Sequence, residues 1–344
     1  MNVSLFKLSA TLAAGCVVAI GLAVQSASAA EVKIVCAHDQ PVTPGNEGYK
    51  EIQWQYFKKA VEERSKGRIE VQVIGAGQLG DSPQLVEGMK IGTVDCTDIS
   101  GASAGPFIPP MQLAAVPYLV ESIKHRDRLI AESGPFYAEM KKLVWDYLKA
   151  HTVGANTASV RSVYNSKKPI KSPDDLVGLK IRTMQSPAQV KSWKALGAVA
   201  SALPFAEVYA GLQSGVIDGA ENSPMFLWGM KHHEVTKYYS KTNHLINIGF
   251  VFIHDRAFQK IPADLRDMVL KAGSEACAAA RKYDNDVDEK FLDQITKAGV
   301  VINEVDPAPF VAKITPVHEE LAKEYKAENL LKIIRDEAAK ARAS

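Results

Sequence analysis

GLKIRTMQSPAQVKSWKALGAVASALPFAEVYAGLQSGVIDGAEN, residues 178–222, reads as strand, helix, helix and strand. Lys180, Ile181, Arg182 and Thr183 form a short, partly β-branched run, and Ser186-Pro187-Ala188-Gln189 fits a helix start, with Ser as N-cap and Pro at the first helical position. Val190, Trp193 and Leu196 recur at helical spacing before Gly197. Phe205, Val208, Tyr209 and Leu212 mark a second helix ending at Gly215, and Val216-Ile217-Asp218 reads as the next strand. Arg182 therefore falls just before a helix N-terminus, where a guanidinium and free backbone N–H groups together suit an anion, best a planar carboxylate. The alternative is an arginine paired with an Asp or Glu of a neighbouring loop.

An internal echo extends this reading to the whole chain. Gly88-Met89-Lys90-Ile91-Gly92-Thr93-Val94-Asp95 and Gly211-Leu212-Gln213-Ser214-Gly215-Val216-Ile217-Asp218 share two Gly, an apolar residue, a long polar one, an aliphatic and an Asp at identical spacing. Each predicts a helix end, a Gly turn and a strand with a polar tip: Asp98 and Ser100 in one case, Glu221 and Asn222 in the other. Val32 to Val35, a helix with Trp54, Phe57, Ala60 and Val61 on its apolar face, and the alternating Ile69, Val71 and Val73 give strand, helix, strand, the opening of a parallel α/β sheet. In such sheets ligands lie beyond the carboxyl ends of the strands, so two facing lobes would enclose one between them. His151 to Ala158 and Asn243 to Ile253 are extended runs fit to cross between lobes. Pro262 to Lys297 reads as a helix long enough to span both, unless it breaks at Gly273. Phe310 to Arg342 reads as further helix.

A chain of 344 residues suits two domains. Residues 1–30 carry Lys7, an apolar run from Leu8 to Val24 and Ala27-Ser28-Ala29, the pattern of a cleaved signal peptide, with a lipoprotein at Cys16 as the alternative. Their removal takes one lysine and leaves a net charge of +1, which excludes a global bias toward nucleic acid or membrane. Cys36, Cys96 and Cys277 remain, without metal-ligand spacing. Cys36 and Cys96 meet only if their strands are neighbours; buried free thiols are expected.

Two segments imitate catalytic motifs. Gly75-Ala76-Gly77-Gln78-Leu79-Gly80 matches G-x-G-x-x-G, but Asp81, Ser82 and Pro83 place the helix start only after the third Gly, so no dinucleotide cofactor is expected. Gly101-Ala102-Ser103-Ala104-Gly105 matches G-x-S-x-G, and a serine hydrolase using Ser103 is the enzyme alternative. A nucleophile elbow passes straight into a helix, whereas Pro106, Pro109 and Pro110 interrupt this one. His232 and His233, adjacent on a helix, point about a hundred degrees apart and predict no metal site.

Gly178-Leu179-Lys180-Ile181-Arg182, Leu196-Gly197-Ala198 and Phe205-Ala206-Glu207-Val208-Tyr209 through Leu212-Gln213-Ser214-Gly215-Val216-Ile217-Asp218-Gly219-Ala220-Glu221-Asn222 together resemble the solute-binding proteins of tripartite ATP-independent periplasmic (TRAP) transporters. The resemblance covers residues 31–344 and implies a two-lobed periplasmic-binding-protein-like α/β fold. Each lobe would be a mixed, mostly parallel sheet flanked by helices, and two crossing strands and a long helix would join them. The expected division is lobe 1 at 31–157 plus 247–286 and lobe 2 at 158–246 plus 287–344.

The resemblance also implies a periplasmic monomer that binds a small organic acid, delivers it to the transporter's membrane subunits and catalyses nothing. It gives Arg182 the role of carboxylate-binding arginine, Arg161 that of a second basic residue, Asn222 that of the residue closing from the opposite strand tip, and Phe205 that of the pocket wall. Glu221 and Gln185 fall where ligand polar groups are met, and His38 and Ser100 are the candidates on the first lobe. Ala200-Ser201-Ala202-Leu203 departs from the family's Pro-containing turn. The polar set favours a sugar acid or another hydroxylated monocarboxylate; a keto acid, an aromatic acid and a C4-dicarboxylate, whose second carboxylate Arg161 could serve, stay open as alternatives, and no cofactor and no metal are expected.

Overall fold

The computed structural model describes residues 29–45 and 47–343, so the expected leader and Cys16 lie outside the described residues. In chain order the elements are β1 (Val32–Ala37), α1 (Tyr49–Arg64), β2 (Ile69–Ile74), α2 (Ser82–Ile91), β3 (Cys96–Ser100), α3 (Ile123–Leu129), α4 (Pro135–Leu148) and β4 (Ala150–Asn165). Then follow β5 (Lys180–Thr183), α5 (Pro187–Leu196), β6 (Val199–Ala202), α6 (Val208–Ser214), β7 (Gly219–Asn222), α7 (Pro224–Gly229) and β8 (Tyr238–His254). The chain closes with α8 (Asp255–Lys260), α9 (Arg266–Lys297), β9 (Val301–Glu304), α10 (Ala308–Glu324) and α11 (Glu328–Ala343).

The strands run in the order β2-β1-β3-β8-β4-β7-β5-β6, with β9 also on β8. β4 and β8 are the two long antiparallel members, and each serves both lobes. The C-terminal half of β8 pairs with β3, and its N-terminal half pairs with β9. The C-terminal end of β4 pairs with β7. The β4–β8 ladder shifts register between Thr157 and Val160. The crossing strands thus join two mostly parallel sheets, β2-β1-β3 and β7-β5-β6, end to end.

The internal echo is a structural repeat. The Asp95 carboxylate accepts from Val35 N at 2.9 Å while Asp95 N donates to Val35 O at 2.8 Å. The Asp218 carboxylate accepts from Lys180 N at 2.9 Å while Asp218 N donates to Lys180 O at 2.8 Å. In each lobe an aspartate after a Gly-capped helix clasps a backbone unit of the neighbouring parallel strand, Val35 within β1 and Lys180 at the start of β5, and fixes the register. The clasp also moves the strand starts: β3 and β7 begin after Asp95 and Asp218, not at Thr93 or Val216 as the sequence predicts.

One expectation is overturned. The β1–β3 register sets Cys36 opposite Cys96, with 4.6 Å between their Cα atoms, and the pair forms a disulfide instead of two free thiols. Cys277 is the buried free thiol.

α9 runs unbroken for 32 residues, about 48 Å at ~1.5 Å per residue. Gly273 does not interrupt it. A Cβ there would lie 2.7 Å from Val153 O, so the glycine is what lets the helix press its backbone onto β4. α11 returns over α3: His125 Nε2 lies 2.9 Å from Ile334 O, and Arg128 Nε donates to Glu337 at 2.9 Å. Gly273→Ala is therefore expected to cost about 1–3 kcal/mol through overpacking. Urea denaturation measures it, and an unchanged midpoint would contradict the close approach.

Candidate functional site

A cavity with about 600 Å³ of empty space, its mouth included, lies between the carboxyl ends of the two sets of parallel strands. Six of the residues expected from sequence line it: Arg161, Arg182, Gln185, Phe205, Asn222 and Ser100.

The second-lobe wall is built from neighbouring strand tips. The antiparallel register places Ser162 opposite Asn222 and Val163 opposite Glu221, which sets Arg161 of β4 beside both polar residues of β7. Arg161 Nε and Nη2 grip the Glu221 carboxylate in a fork at 2.6 and 2.8 Å. Nη2 also donates to Glu221 O at 2.7 Å, and Nη1 to Asn222 Oδ1 at 2.6 Å. His244 Nε2 lies 3.3 Å from the same carboxylate. Burial alone would raise the Glu221 carboxyl, but Arg161 and His244 outweigh it and hold it at about 2. Glu221, wholly buried, stands behind Arg161 and outside the cavity, so it orients the arginine and leaves ligand contact to its neighbours.

Arg182 is treated differently. Nε and Nη2 both donate to Leu203 O, at 2.8 and 2.6 Å, and the guanidinium lies over the Phe205 ring at 5.9 Å from its centre. Only 4 % of the residue is exposed, yet among the described residues no carboxylate comes within ion-pair distance. Burial pushes its pKa down to about 10, with the charge of Glu221 the main opposing influence. A guanidinium carries five donors, and two suffice for Leu203, which leaves an edge for the cavity. The helix N-terminus expected to assist it is occupied. Ser186 Oγ caps Gln189 N at 3.3 Å, and Gln112 Oε1 takes Ala188 N at 3.1 Å.

The first-lobe wall differs most from the sequence reading. His38 is fully buried and turns away from the cavity, its Nε2 2.8 Å from Glu51. Successive side chains of an extended chain point to opposite sides, so the next residue, Asp39, faces the ligand space. Lys50, at the start of α1, is 4 % exposed and bridges Asp39 at 3.0 Å and Asp98 at 3.2 Å. Asp98 is held from behind by Trp54 Nε1 at 3.1 Å and Asn156 Nδ2 at 2.8 Å. Sequence reasoning missed Lys50 because a lysine early in a helix reads as a surface residue. The available signal was the acid at each of two neighbouring strand tips, which needs a cation between them.

Apolar side chains complete the enclosure. Tyr49 and Phe226 meet edge-on with centroids 6.2 Å apart, Phe205 and Phe226 at 5.6 Å, and Met184 lies beside them. Asn247, on the crossing strand β8, is a further residue that the sequence did not single out. It is 4 % exposed, and its Oδ1 has no hydrogen-bond partner among the described residues.

The two imitation motifs fall where their local chemistry suggests. α2 begins after Gly80, with Asp81 and Gln84 in a reciprocal capping box. Ser103 N donates to Ser100 Oγ at 3.1 Å and the two hydroxyls are 3.1 Å apart, and among the described residues no histidine is in hydrogen-bond contact with Ser103, so the hydrolase alternative lacks its base. His232 is buried against Tyr164 OH at 2.7 Å, and His233 stacks on Trp228.

The family model for bacterial extracellular solute-binding proteins, family 7, matches residues 42–324. A solute-binding protein of Chromohalobacter salexigens is 31% identical over 286 residues, 81% of this chain and 83% of that protein. The 2,3-diketo-L-gulonate-binding periplasmic protein of Escherichia coli K12 is 30% identical over 262 residues, 74% of this chain and 77% of that one. A TRAP periplasmic solute-binding protein of Sulfitobacter sp. NAS-14.1, solved with bound β-D-galacturonate, superposes with a TM-score of 0.83 at 28% identity, covering 88% of this chain and 99% of that chain.

The Arg161–Glu221 pair carries a pH signature. Glu221 is depressed in the folded state, so its stabilisation is complete above about pH 4.5 and is lost as pH falls toward about 2. The stability gap between the wild type and Glu221→Gln, read by urea denaturation, should be a few kcal/mol at pH 7 and shrink steadily below pH 4.5. A gap that does not change with pH would mean the carboxylate is not held by these partners.

Proposed function

Because the chain belongs to the bacterial extracellular solute-binding proteins of family 7, the TRAP solute-binding proteins, we propose that it captures a sugar acid or another hydroxylated monocarboxylate and hands it to the membrane subunits of a TRAP transporter. The observation that carries this reading is Arg182: a buried cation in the cavity wall, bonded to a backbone carbonyl and a ring face but to no carboxylate. A charge held out of water costs several kcal/mol unless it is paired, and a ligand carboxylate supplies the pair. Arg161 and the Asn222 amide flank it, and Gln185, Phe205 and Ser100 close the remaining wall. The galacturonate bound by the Sulfitobacter protein and the diketogulonate named for the Escherichia coli protein both support an acid of this class.

The protein works in the periplasm, exported by a cleaved leader at residues 1–30, as a monomer that binds and releases its ligand unchanged. No described helix is long and apolar enough to cross a membrane, and the Cys36–Cys96 disulfide suits an oxidising compartment. Residues 31–157 plus 247–286 move as one lobe and 158–246 plus 287–344 as the other, with α11 of the second strapped over α3 of the first. β4, β8 and α9 form the hinge between them.

Calorimetric titration with the cognate acid tests Arg182 directly. Arg182→Ala should lose at least ~100-fold in affinity, and Arg182→Lys should lose at least ~10-fold because an ammonium cannot reproduce the two-pronged contact. Full affinity in Arg182→Lys would refute the fork geometry.

A further inference from the structure

The first-lobe end of the cavity has a character opposite to the Arg182 end. Asp39 lines it with a carboxylate that accepts from Lys50 Nζ at 3.0 Å and from Ser82 Oγ at 2.5 Å. A carboxylate has about four lone-pair positions, so one on each oxygen is left for a further donor. Asn247 adds a buried carboxamide oxygen with no hydrogen-bond partner among the described residues. Asp81 adds a second carboxylate, one of whose oxygens caps α2. This end therefore asks for hydrogen-bond donors.

The charges of the wall resolve pair by pair. Arg161 is matched by Glu221, and Lys50 is shared between Asp39 and Asp98. Arg182 alone among the lining cations has no carboxylate. One ligand anion completes the site at that point. A second carboxylate, at the far end of the same molecule, would be driven against Asp39 and Asp81 with Lys50 already committed.

Resting on the function proposed above, we infer that Asp39 is the specificity-determining residue of the site: with Asn247 it accepts from the hydroxyl groups of the ligand body, and by like charge it rejects acids that carry a carboxylate at both ends. The recognised class is then a polyhydroxylated monocarboxylate, such as a uronate or aldonate, and the excluded class is the matching dicarboxylate.

The test uses pairs that differ in the oxidation level of the far carbon: D-erythronate with meso-tartrate, both open-chain, and D-glucuronate with D-glucarate and D-galacturonate with galactarate, in which the uronate is also a ring. Each is titrated calorimetrically into the mature protein and into Asp39→Asn. Asparagine keeps the size and one acceptor but removes the charge, and Lys50 keeps its bond to Asp98, so both proteins should melt cooperatively without ligand. The wild type should prefer the monocarboxylate of its best pair by about 100-fold, the scale of a like-charge contact. Asp39→Asn should weaken the monocarboxylate about 10-fold and narrow the preference by a similar factor, because it loses both the charged acceptor and the repulsion. Misfolding would lower both members of a pair together, so the ratio isolates the residue. A wild type that binds the dicarboxylate as tightly, or a ratio unchanged in Asp39→Asn, overturns the assignment while leaving the carboxylate role of Arg182 intact. No heat with any acid overturns both.

Discussion

A guanidinium held out of water without a counter-charge is the constraint on which the binding site depends. Arg182 sits on β5, bonded only to Leu203 O and leaning on Phe205, and its neighbour Arg161 is already claimed by Glu221. The two arginines divide the work. One is locked by a buried fork into a fixed donor, and the other keeps an open edge. Had Glu221 reached Arg182 as well, the wall would be electrically complete and would offer a carboxylate little. On the function proposed above, pairing this charge is the electrostatic gain that a ligand carboxylate would bring.

The cavity around these arginines is bounded by strand tips from both lobes, and the fold positions those tips twice by the same device. Asp95 clasps Val35 within β1 and Asp218 clasps Lys180 at the start of β5, each through one side-chain and one backbone bond. In the first lobe the Cys36–Cys96 disulfide adds a covalent tie two residues before Asp98 and three before Asp39. The lobes stay related through β4 and β8, whose shared ladder runs the length of both, and through α9, which Gly273 allows to press against β4.

Much of this was legible in the sequence because it rests on local chemistry. The Ser186-Pro187 helix start, the Gly197 and Gly215 stops and the repeated Gly-Gly-Asp spacing each encode one backbone event, and each occurs. The resemblance singled out Arg161, Arg182, Phe205 and Asn222, and all four line one cavity. Legibility failed where the determinant is non-local. Whether Cys36 meets Cys96 depends on which strands are adjacent. His38 was chosen where Asp39 faces the cavity, because a tip residue's side is set by the pleat and not by its type. Glu221 has suitable chemistry but is consumed by Arg161 and His244, and Lys50 became buried only when β1 and β3 brought two acids to it. Asn247 lies in the apolar stretch Leu245 to Ile253, whose strand character hid this polar position.

The most direct measurement is thermal melting of the mature protein with an acid and its neutral counterpart, D-glucuronate beside D-glucose, at about one hundred times the dissociation constant of the acid. The account predicts a rise of several degrees with the acid, corresponding to about 2.7 kcal/mol, none with the neutral sugar, and no rise with either in Arg182→Ala. Equal shifts with acid and neutral sugar, or a shift with the acid that survives in Arg182→Ala, would contradict it.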